Sequence, residues 1–330
     1  MAAEVATQPL NLPLYATTEK CSGGTYIVTG ANTGLGFEAA KHLVALGSAK
    51  VILGVRNLAA GEEAKAKIEA ATGITNVAEV WALDLSSYDS VKAFAKKAIA
   101  ELDRIDALIE NAAVAGAQRV IAEGHLQAIT VNVLSTLLLG VLLLPKLKEN
   151  AKKFGILPHL VVVSSRVAFD VKGVWENIRD DPLAKIDAFE DAAIMSTYPL
   201  SKLLEVNAIR ELASLLPLSR TGVVMNLVCP GLCKTDLGRN APASFRETLA
   251  AMHAKSGRTA EDGSRTLLHG AVAGLESHGC FLSNAKIAQE KVPSWVTDEE
   301  GIATQKHTWE LIASELEATE PGCVKRILQE

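Results

Sequence analysis

Cysteine is scarce and scattered: Cys21, Cys229, Cys233, Cys280 and Cys323 are spread over 330 residues. That usage excludes a disulfide framework and fits a reducing compartment. Cys229 and Cys233 form the one close pair. No second Cys/His pair stands near them at zinc-site spacing, so no metal is expected. Neither charge dominates, with 33 Lys+Arg against 38 Asp+Glu and a net charge of −5. This removes the electrostatic case for a nucleic-acid partner. No linker, repeat or low-complexity stretch divides the chain, and an N-terminal extension (1–23) followed by one domain (24–330) is expected. Residues 1–24 lack a basic segment leading into an apolar core, so no signal peptide is expected. The one long apolar run, 131–147, is flanked by Asn132, Ser135 and Thr136 and by Pro145 and Lys146. It falls short of the ~20 apolar residues of a membrane span. A buried central helix in a cytoplasmic protein without a membrane anchor is expected.

What is present is an apolar half (48 % hydrophobic) and a stretch around which the rest is organised, GTYIVTGANTGLGFEAAKHLVALG. Tyr26, Ile27 and Val28 suit a strand buried on both faces. Gly30, Gly34 and Gly36 make a turn, and Phe37, Ala40, Leu43, Val44 and Leu46 recur at helical spacing. Strand, glycine turn and helix is the layout that presents backbone N–H groups and a helix N-terminus to a pyrophosphate. The cradle would comprise Gly30, Asn32, Thr33, Gly34, Leu35 and Gly36. A second strand, 50–55, ends at Arg56 and Asn57. In a doubly wound fold this spot meets the adenosine ribose, where an arginine accommodates a 2′-phosphate. Arg56 therefore argues for NADP(H) over NAD(H); the competing account is a solvated arginine with Asn57 capping the next helix.

Further strands are expected at 77–83, 106–109, 159–164, 222–228 and 279–283. Between them, Val91, Phe94, Ala95, Ala98, Ile99 and Leu102 trace a clear amphipathic helix. Tyr198 and Lys202 stand four apart on a helix running to 215, so they share one face a turn apart. A phenol is a poor acid–base group at neutral pH, and a nearby ammonium favours its phenolate.

TGANTGLG, Tyr198 with Lys202, and Pro230-Gly231 after a later strand together resemble the short-chain dehydrogenase/reductase family, TGANTGLG being similar to its retinol-dehydrogenase-like branch. The likeness runs from about Gly24 to Asn284. It implies an α/β, doubly wound (Rossmann) parallel sheet of about seven strands, a substrate-side insertion (166–197) and a C-terminal tail (285–330). It implies Ser165, Tyr198 and Lys202 as catalytic residues, with Asn132 bending its helix and holding a water that extends a proton relay from Lys202. Asp84 would meet the adenine amino group and Leu85 would add a backbone contact. Asn111 would support the sheet, Pro230 and Gly231 would shape the nicotinamide pocket, and Thr235 would contact the carboxamide or phosphate. Tyr198 and Lys202 would also touch the cofactor ribose. Glu110, Ala113 and Cys229 depart from the family pattern.

Members of this family often form dimers or tetramers through the helices around 131–147 and 198–215. Residues 244–256 read as a mobile helix over the site. The tail, with Trp295 and Trp309, would finish the substrate pocket or cover a sheet edge. Together with Phe169, Trp175 and Phe189 in the insertion, these aromatics suggest a medium-sized lipophilic ketone or aldehyde. The tail resembles fungal reductases of secondary metabolism. Two other functions fit the same residues: a redox-neutral epimerase and a catalytically silent NADP(H)-binding regulatory protein.

Overall fold

A computed structural model describes residues 7–329. Thr25–Thr29 (β1) is buried at all five positions, as a parallel strand covered on both faces must be. Lys50–Val55 (β2) pairs with it in parallel, and Ala78–Ala82 (β3) pairs beyond β2. On the other side of β1 lie Ala107–Glu110 (β4), His159–Val163 (β5), Val224–Cys229 (β6) and Phe281–Ser283 (β7), all parallel. The spatial order is therefore 3-2-1-4-5-6-7, with its reversal between β1 and β4. Lys286–Ile287 (β8) adds an eighth, antiparallel strand outside β7, so the expected seven-stranded sheet gains one strand from the tail.

Helices cover both faces. Gly34–Ala45 (α1), Leu58–Thr72 (α2) and Ala260–Val272 (α7) contribute Leu43, Val44, Ile68, Leu267 and Leu268 to one apolar layer. Tyr88–Glu101 (α3), Thr136–Phe154 (α4) and Thr197–Leu215 (α5) bury Phe94, Leu138, Leu203 and Ile209 in the other. Each such side chain contributes roughly 1.5–3 kcal/mol by leaving water. Polar caps fix where helices begin. Asn57 Oδ1 accepts from Ala60 N at 3.1 Å before α2, and Thr259 Oγ1 accepts from Asp262 N at 3.0 Å before α7.

The long apolar run lies in Gln127–Phe154, helical throughout but widened over Thr130–Ser135 to an i→i+5 turn. By length and a mean hydropathy of 2.1 this helix could cross a membrane, yet 83 % of its apolar window is buried within the fold. It is the core helix between the sheet and its outer cover.

The tail does more than extend a sheet edge. Glu299–Thr319 (α8) lies along α5, burying Trp309, Ile312 and Leu316, and Cys323–Gln329 (α9) packs on α4. One side of α5 is thus covered by the chain's own helix. Trp175, Ile178, Leu183 and Ile186 of the insertion are core residues too, and Phe169 meets Phe281 of β7 edge-on at 5.2 Å. The insertion is packed against the body of the fold, with Trp175 buried and Phe169 and Phe189 partly so. Ala243–Ser256 (α6), by contrast, buries none of its residues.

Candidate active site

The carboxyl ends of β1, β4, β5 and β6 converge where the strand order reverses, the place where open α/β sheets bind ligands. At the end of β1, Gly30 and Gly34 have φ of 65° and 60°, left-handed values open to glycine. Gly36 meets a different constraint: a methyl group there would stand 2.5 Å from Asn111 Nδ2 and 2.8 Å from Gly30 O. Asn111 Nδ2 donates to Thr29 O at 2.9 Å, while Thr29 Oγ1 accepts from the N–H groups of Asn111 and Ala112. The end of β4 is thereby stitched to the glycine turn. Thr235 faces Gly34, and a cleft of about 420 Å³ opens between Thr33, Gly34, Lys234, Thr235, Asp236 and His253.

The other expected nucleotide contacts are spread around this turn. Arg56 is exposed at the end of β2, whereas Asn57 caps α2, so its Oδ1 is already engaged. Asp84 Oδ1 accepts from Ser86 N at 2.9 Å and Ser86 Oγ at 2.6 Å in a local turn. Leu85 is buried. Pro230 O accepts from Arg258 Nη1 at 2.6 Å, and Gly231 has φ of 80° with no room for a side chain beside Arg258 and Gln8.

Ser165 follows β5, and its Oγ accepts from Val167 N at 3.4 Å; its hydroxyl is near enough to Tyr198, at the start of α5, to favour the phenolate. Lys202 Nζ, one turn on, lies 5.8 Å from the Tyr198 ring centroid. It donates to Val163 O at 2.8 Å and to Glu205 Oε1 at 2.7 Å. Asn132 sits in the widened turn. Its Oδ1 accepts from Val114 N, and its Nδ2 donates to Val114 O and to Ser201 Oγ. Ser201 in turn donates to Tyr198 O at 2.7 Å. Both side-chain N–H groups of Asn132 are therefore spent on the protein, and any relay water falls to its Oδ1 or main chain. A serine hydroxyl, a phenol and an ammonium gathered beside a glycine turn can hold and protonate a substrate oxygen.

Residues 25–175 match the family model for short chain dehydrogenase. A short chain dehydrogenase/reductase of the fungus Cryptosporiopsis sp. is 40 % identical over 92 % of this chain and 94 % of its own. One from Aspergillus flavipes is 38 % identical over 95 % and 91 %. The chain is a short-chain dehydrogenase/reductase. Solved structures agree on the fold alone. A Shigella flexneri protein described as a short chain dehydrogenase complexed with NADP is 20 % identical, with a TM-score of 0.60 over 81 % of this chain and 99 % of that one. L-Sorbose reductase of Gluconobacter frateurii, complexed with NADPH and L-sorbose, is 16 % identical, with a TM-score of 0.59 over 79 % and 95 %.

Several features of this dehydrogenase/reductase carry no signal in sequence spacing. Cys229 Sγ accepts from Arg166 N at 3.3 Å, tying the end of β6 to the turn after Ser165. Lys234 and His253 meet across the cleft only because α6 folds back over it. Burial first, then the Lys234 charge, hold His253 below the ordinary histidine value. The N-terminal extension also reaches the site. Gln8 pairs with Leu232 N, Leu232 O and Ser256 O, while fully buried Arg258 holds Pro9 O at 2.8 and 2.9 Å. Glu110 and Glu205, both buried, flank the Lys202 ammonium's side of the sheet. Among the described residues no cluster of His, Cys, Asp and Glu could hold a metal ion.

Proposed function

We propose that this protein is an NADP(H)-dependent carbonyl reductase, or alcohol dehydrogenase in reverse, acting on a small-molecule substrate. The supporting observation is Tyr198 gathered with the Ser165 hydroxyl and with Lys202, whose Nζ lies 5.8 Å from the phenol ring one helical turn on. The residues present fit a dinucleotide. Gly30 and Gly34 hold the left-handed turn that leads into the N-terminus of α1, Gly36 lets that turn pack on Asn111, and exposed Arg56 offers a guanidinium for a 2′-phosphate. Gly30, Asn32, Thr33, Gly34 and Leu35 would hold the phosphates, with Asp84 and Leu85 toward the adenine and Pro230, Gly231 and Thr235 toward the nicotinamide. When bound, the nicotinamide supplies or accepts the hydride.

The chain's own residues supply the rest. Ser165 and Tyr198 donate hydrogen bonds to the substrate oxygen, orienting the carbonyl. Tyr198 delivers the proton as charge develops on that oxygen. Lys202 stands behind the phenol, and Asn132 holds the first turn of α5 through Ser201. A fungal secondary-metabolic ketone is the substrate class we favour, on the names and organisms of the relatives. Cytoplasmic residence and a single domain over 24–330 accompany this reading.

The test is a screen of candidate ketones with purified protein and NADPH, following cofactor fluorescence and identifying the product. Tyr198→Phe should keep its nucleotide affinity and lose turnover. Unchanged turnover in that variant would overturn the assignment. A change of configuration without net NADPH consumption would identify an epimerase instead.

A further inference from the structure

The lysine of the site is not free to act on the phenol alone. Two of its three ammonium protons are committed, one to Val163 O at 2.8 Å and one to Glu205 Oε1 at 2.7 Å. The side chains of Lys202 and Glu205 are 3 % and 2 % exposed, so water hardly screens the pair. A buried ion pair adds little net stability over apolar residues of similar volume. The placement of this one, three positions from the lysine and seven from Tyr198 on the same helix, has a consequence for chemistry. An isolated ammonium beside a phenol favours the phenolate. An ammonium neutralised at contact distance by a carboxylate does so far less, because at the phenol the two fields largely cancel.

We propose that Glu205 is a positioning residue that holds Lys202 and offsets its charge at Tyr198, setting the site to give a proton to a carbonyl rather than take one from an alcohol. The inference rests on Tyr198 as the acid–base group.

The groups around the phenol point the same way. Burial raises Tyr198 above the ordinary tyrosine value; Glu205 and then Cys229 push it further, and the Ser165 hydrogen bond opposes them. Glu205 itself is pushed up to about 7 by burial, against the pull of Lys202 and the Ser164 hydroxyl. From β4, Glu110 faces it, its carboxyl driven well above the carboxylate range by burial against the opposing pull of Thr29. On the turn after β5, Arg166 and Asp170 pair with each other at 2.8 Å. Helix α8 meets the other side of α5 through Asn207, Arg210 and Glu211, which bond Thr308 and Gln305. Glu205 is thus the acid paired directly with the ammonium, and its charge develops around neutrality.

The test titrates the phenol by ultraviolet difference absorbance without added nucleotide, over the pH range in which circular dichroism reports an unchanged fold. Tyr198→Phe, made in each background, subtracts the other tyrosines. Glu205→Gln keeps the shape and removes the charge. Its Tyr198 midpoint should fall about one pH unit or more below that of the wild type. A separation smaller than that, or a rise, overturns the proposal. If Glu205→Gln fails to fold, Glu205→Met, of similar volume and without charge, takes its place in the same comparison: a Tyr198 midpoint about one pH unit or more below that of the wild type supports the offset, and a smaller separation or a rise overturns it. Loss of turnover in Tyr198→Phe bears on the reductase assignment, whereas these midpoints bear on Glu205, so either can fail separately.

Discussion

Asn132 Nδ2 lies 2.9 Å from Ser201 Oγ, although sixty-nine positions separate them in the chain. The widened turn that places Asn132 and the first turn of α5 that carries Tyr198 are therefore one hydrogen-bonded unit, completed by Val114 on the loop after β4. Removing the amide leaves the N–H and C=O of Val114 without their side-chain partner. Asn132→Ala should lose about 1–3 kcal/mol in urea denaturation, and Ser201→Ala less. The double variant should fall short of their sum by about 0.5 kcal/mol or more, because the two share a bond. Simple additivity would show that the contact carries no energy.

Arg56 is exposed, so replacing it should not disturb the fold. Arg56→Asp should weaken NADPH binding by roughly tenfold or more, the value of a charge-assisted hydrogen bond, and NADH binding much less. Binding of both nucleotides followed by fluorescence decides it: equal losses would show that the guanidinium does not read the extra phosphate.

Helix propensity predicts that alanine in place of glycine inside a helix stabilises by roughly 1 kcal/mol. At Gly36 the sign should reverse, since the methyl group meets Asn111 Nδ2 at 2.5 Å and the rigid carbonyl of Gly30 at 2.8 Å. Gly36→Ala should lower the melting temperature and weaken nucleotide binding. Gly173→Ala, in the helix Lys172–Ile178 with no atom within 4 Å of the new methyl, is the control and should be neutral or stabilising. Parallel behaviour of the two would rule out the close approach at the glycine turn.

Glu110 is buried at the end of β4, where burial raises its carboxyl well above the ordinary 4.5. The unfolded chain releases this proton near pH 4.5 while the folded chain keeps it, so the fold binds more protons above that pH. The contribution of Glu110 is therefore fully present below pH 4.5 and is lost as pH rises. Glu110→Gln cannot ionise. Its stability relative to wild type should grow by about 1.4 kcal/mol per pH unit above 4.5 until the buried carboxyl itself ionises. Urea melts at several pH values measure that slope; a flat difference would show that Glu110 is ionised in the native protein.

The sheet and the glycine turn were legible in the chain because each is a local pattern. Thr25–Thr29 and Gly34–Ala45 lie within about twenty residues, and buried parallel strands need runs such as KVILGV and HLVVV. The fourth-residue spacing of Tyr198 and Lys202 is likewise a helical repeat that needs no tertiary information. The places of the aromatics in the insertion and tail were not legible, for the opposite reason. Trp175 and Trp309 are 4 % and 3 % exposed, and composition alone cannot tell a core tryptophan from one lining a pocket.

By itself the sequence determined the strands, the glycine turn and the register of the Tyr198 helix, since periodicity and turn chemistry act between near neighbours. Only the tertiary structure decided what stands around the lysine. Glu205 reads in one dimension as an ordinary surface partner three residues along a helix. Burial beneath β5 and beside Glu110 turns it into an unscreened charge at the centre of the site. The strength of a charge depends on the water that folding removes, and no local pattern records that.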